Sequence, residues 1–386
     1  MLQRPLSRSR TLHVLVATPG GGKGQGGIDR IMHSLETELA RGPGGVDVRF
    51  IATRGLGVVA LSPFFALAFC VRMLIARMLG RVDLVHLNVS SNGSTYRKMI
   101  IAACARALGI PYVIHLHGGH YPRFWTDKPT LLNRMILRMF EGAGRVIVLG
   151  RIWRDFVSAR APSVADRISI VPNGTEVPRL PHLGGGDTVH ILFLGRINAG
   201  KGAPQLGEAL KRMLAIPGWR ATVAGDGQVE EARRFAAEAG LAARVNLPGW
   251  VGPSEVARLI SESDILVLPS FVENLPLSVI EGMASGLAVV ATPVGAVEDI
   301  VANEVSGLLV APGDVDGLTV ALSRLVADPA LRGRLGAAAL ATHRERLELG
   351  TFARSIRRVW ETAAIDGQAP HGHSTAATTH GNGGAS

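Results

Sequence analysis

A chain of 386 residues and 40.7 kDa is too long for one ordinary core and suits two or three domains of about 100–200 residues each. Its 47% hydrophobic and 19% charged content excludes a disordered or fibrous chain. Two cysteines, Cys70 and Cys104, exclude a secreted disulfide framework and suit a reducing compartment, so a cytoplasmic location is expected. The net charge of +10 is unevenly spread, with 24 Lys+Arg against 10 Asp+Glu in residues 1–180 and 17 against 21 in residues 181–386. A basic first half points to an anionic partner. With 5% aromatic residues and no RNP-like, zinc-finger or basic-zipper pattern, that partner is a membrane surface or an anionic acceptor and not nucleic acid.

In chain order, short apolar runs alternate with helical stretches, the pattern of parallel sheets built from βαβ units, and the expected fold class is α/β. Met1–Arg10 is basic but is followed by a short strand and not by an apolar signal core, so no secretory leader is expected. Strands are predicted at Leu12–Ala17, Val46–Ile51, Leu84–Leu87, Tyr112–Leu116, Val146–Leu149 and Ile168–Pro172. The most apolar stretch, Leu56–Val71, is interrupted by Pro63 and followed by Arg72 and Arg77. It is short for a membrane span. It reads as a core helix, as an interfacial helix with its arginines toward anionic headgroups, or, last, as a membrane span. The Pro/Gly-rich run from Pro178 to Gly186 marks a boundary, after which strands restart at Val189–Leu194, Ala221–Ala224, Val245–Leu247, Ile265–Leu268 and Val289–Ala291. From Leu318 to about Glu361 the chain reads as helical. The resulting organisation is a Rossmann-like domain over 1–178, a second over 187–350, a C-terminal helix over 351–365 returning to the first domain, and a disordered tail over 366–386. Histidines 371, 373 and 380 lie in that tail and do not read as a metal site. Two doubly wound domains in tandem leave a ligand cleft between the carboxyl ends of their strands.

Three segments carry chemistry. The run Gly20–Gly27 follows the first strand and opens a helix, so its glycines allow a phosphate or sugar close to the backbone. The run Gly195–Gly202 satisfies G-x-x-x-x-G-K, but Gly202 stands where a P-loop needs the Ser or Thr that holds magnesium. Arg196 and Lys201 could instead neutralise a diphosphate directly, and no metal is expected. The run Ser270–Gly286 places Glu273 on a loop after a strand and Glu281 in a helix that begins near Leu277. Carboxylates at the two ends of such an element can hold hydroxyls while the helix N-terminus takes phosphate.

Glu273-Asn274-Leu275-Pro276 with Glu281, Gly195-Arg196 with Lys201, the early glycine loop and Pro172-Asn173-Gly174 together resemble a retaining glycosyltransferase of family 4 with the GT-B fold. The resemblance covers roughly residues 12–365, and the spacing of Glu273 and Glu281 is its most specific part. Family members usually carry glycine after the first glutamate, where this chain has Asn274.

The resemblance implies that Glu281 binds the ribose of a nucleotide-sugar donor and that Glu273 accepts hydrogen bonds from the transferred hexose. It implies that Arg196 and Lys201 hold the diphosphate, that Asn274, Leu275, Leu277 and Ser278 offer backbone amides to sugar and phosphate, and that Gly22, Gly26 and Gly27 let the first-domain loop close over the donor. His117, closing a strand in Leu116-His117-Gly118-Gly119, matches the family's cleft histidine. The implied activity is transfer of a hexose from a UDP- or GDP-sugar, without a cofactor, to a saccharide or polyprenyl-diphosphate-linked acceptor in polysaccharide or glycolipid biosynthesis. The implied location is the inner face of the plasma membrane. Three other readings stay open on the sequence: a nicotinamide-dependent oxidoreductase using the first glycine loop, a P-loop-like nucleotide hydrolase using Gly195–Lys201, and a non-catalytic partner protein that keeps the same fold.

Overall fold

The computed structural model describes residues 11–21, 26–42, 44–54, 62–126, 130–178 and 180–367. Gly22, the histidines of the tail and residues 56–61 of the apolar stretch therefore lie outside the described residues. Among the described residues, twelve strands form two six-stranded sheets. The first sheet holds β1 (Leu12–Thr18), β2 (Val46–Ala52), β3 (Leu84–Val89), β4 (Tyr112–Leu116), β5 (Arg145–Val148) and β6 (Ile168–Ile170), in the order β2-β1-β3-β4-β5-β6. The second holds β7 (Val189–Leu194), β8 (Trp219–Ala224), β9 (Val245–Gly249), β10 (Ile265–Leu268), β11 (Ala288–Ala291) and β12 (Leu308–Leu309), in the order β12-β11-β10-β7-β8-β9. Every pairing within the two sheets is parallel.

The described residues of the first half form six α-helices: α1 (Gly27–Arg41), α2 (Ser62–Met78), α3 (Gly93–Ala107), α4 (Tyr121–Phe124), α5 (Leu131–Glu141) and α6 (Arg151–Arg160). Six follow in the second: α7 (Ala203–Arg212), α8 (Val229–Glu238), α9 (Pro253–Ser261), α10 (Leu277–Ala284), α11 (Val315–Ala327) and α12 (Pro329–Thr342), before the final α13 (Leu349–Asp366). The stretch read as helical after Leu318 is divided into consecutive helices, because Asp328 caps α12 through the Leu331 amide and Pro329 cannot extend α11.

Alternation along β1 sorts the first core into two layers. Leu15 and Ala17 pack with Phe69 and Met73 of α2, Ile101 of α3 and Ile136 of α5. Val14 and Val16 pack on the opposite face with Ile31 and Leu35 of α1 and with Phe352, Ile356 and Trp360 of α13. The last helix of the chain thus completes the core of the first sheet. The two passages of the chain between the halves run side by side, since Thr175 donates to the Leu347 carbonyl and accepts from the Leu349 amide.

The layer under α13 contains histidines and not only apolar residues. Trp360 donates its indole N–H to His86 Nδ1 at 2.8 Å. His115 packs edge-on to His86 and against His117, with ring centroids 5.3 and 3.9 Å apart. Burial pushes the fully enclosed His86 down to about 3 and holds His115 well below the usual imidazole range. Both rings are therefore neutral in the fold but protonate below about pH 6.5 once unfolded, so stability declines as pH falls through that value. Urea unfolding should show His86 alone removing about 2 kcal/mol between pH 6.5 and pH 5, and a His86→Asn variant should lose that much less on acidification.

Candidate functional site

The strand orders reverse between β1 and β3 in the first sheet and between β7 and β10 in the second. Open parallel sheets bind ligands at the carboxyl ends of the strands flanking such a reversal. Here the two switch points face one another across a cleft of about 640 Å³.

The wall from the second half is built by the loops after β7 and β10. After β7, a short turn over Ala199–Lys201 is closed by the Asn198 side chain, which accepts from the Lys201 amide at 2.9 Å. Gly202 then takes φ +72°, and a Cβ there would meet the Pro269 carbonyl oxygen. The turn can be made only by glycine, so the P-loop hydroxyl has no space in this loop. Lys201 Nζ donates to Glu273 Oε1 at 2.6 Å, and Ser270 Oγ donates to the same oxygen at 2.7 Å. Glu273 is buried, and this double contact fixes its carboxylate at the cleft floor. The Arg196 side chain is 63% exposed, with Asp226 3.5 Å away, and lines the cleft beside Lys201.

After β10, Pro276 caps α10, whose first amides have no acceptor within the helix. Leu277 and Ser278, at that end, line the cleft. Glu281 lies one turn further on, where burial raises its carboxyl above the usual range. Its Oε1 accepts from Arg30 Nη2 of α1 at 2.6 Å, a pair between residues 251 positions apart. Trp250, the first residue after β9, is 62% exposed and completes this wall.

The opposite wall comes from the first half. His117 follows β4, and its Nε2 lies 2.8 Å from Asn88 Oδ1 on β3. Asn88 in turn donates through Nδ2 to the Ala17 carbonyl, so the amide oxygen faces the ring and Nε2 carries the proton. Loss of solvation lowers the His117 pKa, with His86 and Lys98 adding repulsion, and the ring is neutral.

The halves meet over the loop that carries Glu273. Asn274 Nδ2 donates to the Leu116 carbonyl at 3.1 Å, Trp153 Nε1 to the Asn274 carbonyl at 3.3 Å, and Asn173 Nδ2 to the Leu275 carbonyl at 3.4 Å. A Cβ on Gly119 would come within 2.7 Å of the Glu273 carbonyl oxygen.

Of the residues singled out in the sequence, Gly27, His117, Arg196, Lys201, Glu273, Asn274, Leu275, Leu277, Ser278 and Glu281 line this one cleft. Gly26 caps α1 at its edge, and neither it nor Gly27 has a neighbour where a Cβ would sit. The Asn274 side chain is spent on the contact between halves. Sequence reading missed Arg30, Asn88, Trp153 and Ser270, whose roles depend on partners brought by the fold.

Comparison with known proteins decides the family. A model of the 4-like glycosyl transferase domain matches residues 6–174, and one of glycosyl transferases group 1 matches residues 188–328. The chain belongs to the family-4-like glycosyltransferases with the GT-B fold. Such enzymes act on nucleotide sugars. An Escherichia coli UDP-Gal:α-D-GlcNAc-diphosphoundecaprenol α-1,3-galactosyltransferase is 25% identical over 65% of this chain and 68% of its own. A 2-deoxystreptamine glucosyltransferase of Streptomyces kanamyceticus is 27% identical over 78% of this chain and 82% of its own. Sucrose-phosphate synthase of Thermosynechococcus elongatus superposes with a TM-score of 0.75 at 20% identity, covering 92% of this chain and all of that one. An Anabaena protein solved with UDP and glucose gives 0.70 at 18% identity, over 91% of this chain and 100% of its own. These two likenesses confirm two Rossmann-like halves facing across a cleft.

The glycosyltransferase loop after β7 differs from a P-loop by its steric demand at Gly202. A Gly202→Ser variant should therefore lose roughly 3 kcal/mol of stability in urea unfolding, from left-handed strain and overpacking, and should gain no magnesium-dependent nucleotide binding.

Proposed function

We propose that this glycosyltransferase moves a hexose from a UDP- or GDP-sugar to a saccharide or lipid-linked acceptor, with retention at the anomeric carbon, in cell-surface polysaccharide or glycolipid synthesis. The observation that carries this reading is one wall with two cations, an open helix N-terminus and two carboxylates, all at a single switch point. Arg196, Lys201 and the amides at Leu277 and Ser278 hold the diphosphate. Glu281 takes the ribose hydroxyls, and Glu273, already fixed by Lys201 and Ser270, takes hydroxyls of the hexose. Trp250 lies beside the base. Gly22, Gly26 and Gly27 let the first-half loop approach the donor.

The mechanism follows from where charge develops. Cleaving the anomeric bond leaves a nucleoside diphosphate and an oxocarbenium-like sugar, so fixed cations at the leaving group lower the barrier without reorganising. His117, neutral and oriented by Asn88, faces the sugar from the acceptor side. The acceptor hydroxyl attacks on the face from which the diphosphate departs, and a leaving phosphate oxygen takes its proton. No carboxylate nucleophile is used. Because Arg196 and Lys201 neutralise the diphosphate directly, metal is not required.

A thermal-shift panel of UDP, GDP, ADP, their sugar conjugates and ATP, with and without magnesium, tests this reading. One nucleoside diphosphate and its sugar should stabilise the protein without metal, by about 2.7 kcal/mol at a hundred times the dissociation constant. Arg196→Ala and Lys201→Ala should each cut turnover by ~10²–10³ while the fold survives. Stabilisation only by ATP with magnesium would favour a hydrolase, and silence across the panel a non-catalytic partner.

We also propose that the enzyme rests on the anionic inner surface of the plasma membrane. Helix α2 turns Phe69, Cys70 and Met73 into the core and exposes Phe64, Leu67, Ile75 and Met78, by 68%, 60%, 50% and 78%. Arg72 and Arg77 are exposed on the same helix. No helix among the described residues is long and apolar enough to cross a membrane. An apolar face beside arginines fits the interface plane, each cation near the surface adding about 1 kcal/mol. The protein should co-sediment with phosphatidylglycerol vesicles, be released by salt, and lose most binding in a Phe64→Ser/Leu67→Ser variant; salt-insensitive binding to neutral vesicles would remove the electrostatic argument.

A further inference from the structure

Behind the cleft wall of the first half lie two buried cations that the donor chemistry does not use. Arg97 and Lys98 are neighbours on α3, 8% and 0% exposed. The only hydrogen bond of Lys98 Nζ among the described residues runs to Thr53 Oγ1 at 2.7 Å, and Thr53 passes its own proton to the Thr18 carbonyl. An ammonium has three donors to satisfy. Arg97 reaches Ser62 Oγ at 3.4 Å through Nη1, and its buried Nε has no partner among the described residues.

Neither cation has a carboxylate at ion-pair distance among the described residues. The nearby acid is Asp29, itself buried, and both its oxygens accept from the Gly20 amide, at 2.9 and 3.2 Å. Arg54 adds a third positive charge acting on Arg97. Residues 22–25 and 55–61, outside the described residues, contain no Asp or Glu in sequence. Burial and the repulsion of Arg97 push Lys98 down to about 7. Enclosing two cations without a counter-charge costs several kcal/mol per ion, and an anion supplied from outside offsets that cost.

The position of the pair indicates which anion. Thr18 ends β1, Thr53 follows β2, and Ser90 follows β3 just before α3, so the pair sits by the switch point of the first sheet. Lys98 is near enough to His117 to lower its pKa, and His117 and Ser90 both line the cleft. On its other side the pair touches Ser62, the first residue of α2, whose outer face is apolar.

We infer that Arg97 and Lys98, with Thr53 and Ser62, form an anion site that takes the phosphate or diphosphate ester of the acceptor. Calling the ligand an acceptor rests on the transferase reading; the anion site itself does not. The arrangement directs the acceptor's sugar toward His117 and leaves a lipid portion to run along α2.

Calorimetric titration of the full chain, with excess UDP and GDP present to fill the donor diphosphate site, tests the inference. The probes are geranyl diphosphate, glucose 1-phosphate and inorganic phosphate. Lys98→Met and Arg97→Gln should each weaken binding of the preferred probe roughly tenfold or more, and Arg97→Lys should restore part of it. Lys98→Met should melt at the wild-type temperature or above, since it removes a buried charge; a purely structural lysine would melt lower. Geranyl diphosphate binding above glucose 1-phosphate identifies a lipid source, and the reverse a soluble sugar phosphate. Failure of all three probes to bind, or undiminished binding in both neutral variants, overturns the site; should Lys98→Met not fold, Arg97→Gln decides alone. Binding of the probes by a protein that binds no nucleotide sugar would leave the site standing and remove the transferase reading.

Discussion

The loop from Ser270 to Pro276 is the constraint on which the rest of the cleft depends. Its Glu273 carboxylate is held by one cation and one hydroxyl from its own half. Its backbone is gripped by Trp153 and Asn173 of the other half, and the Asn274 side chain reaches across to Leu116. Because both halves bond to this one segment, the cleft closes in a single register. The open N-terminus of α10 is thereby set opposite the turn that carries Lys201. Gly202 is part of the same arrangement, since only a residue without Cβ lets that turn pass beneath Pro269.

Behind the first wall the protein tolerates polar groups where a core would ordinarily be apolar. His86 and His115 are enclosed and neutral, and α13 covers them with Trp360 and Phe352. The indole fixes the tautomer of His86, while Asn88, two residues on along β3, fixes that of His117. A strand that alternates apolar and polar residues on one face thus serves both the core beneath the last helix and the orientation of the cleft histidine. The C-terminal helix is tied to the function of the first half through this layer, although it lies last in the chain.

Charge divides the molecule in the same sense as the sheets. The first half carries the excess of Lys and Arg, and the structure puts that excess to two uses. On the outside, Arg72 and Arg77 stand on a helix with an exposed apolar face. On the inside, Arg97 and Lys98 are enclosed next to the cleft without carboxylate partners among the described residues. The donor wall is different in kind, because its cations have acidic neighbours, Asp226 for Arg196 and Glu273 for Lys201. Arg97 and Lys98, without carboxylate partners among the described residues, are therefore in the first half, and Arg196 and Lys201, with them, in the second.

Much of this was decided by the sequence alone, because it depends on neighbours along the chain. Strands Tyr112–Leu116, Val189–Leu194 and Ile265–Leu268 were legible to the residue, since fully buried parallel strands are continuous apolar runs bounded by polar or turn residues. The two-residue β12 was not, as Leu308–Leu309 pairs only because β11 lies beside it. The spacing of Glu273 and Glu281 and the glycine-rich turn before Lys201 were readable for the same local reason: torsion and helix geometry place those groups. What the tertiary structure alone decided is which of them acquire partners. Arg30 has no motif around it and meets Glu281 at 2.6 Å from 251 positions away. Arg97 and Lys98 read from the sequence as part of the basic surface offered to a membrane, whereas the packing of α2 and α3 encloses them. Local sequence sets backbone torsions and the period of apolar residues, whereas the dielectric around a charge, and the group that satisfies it, exist only once distant segments are brought together.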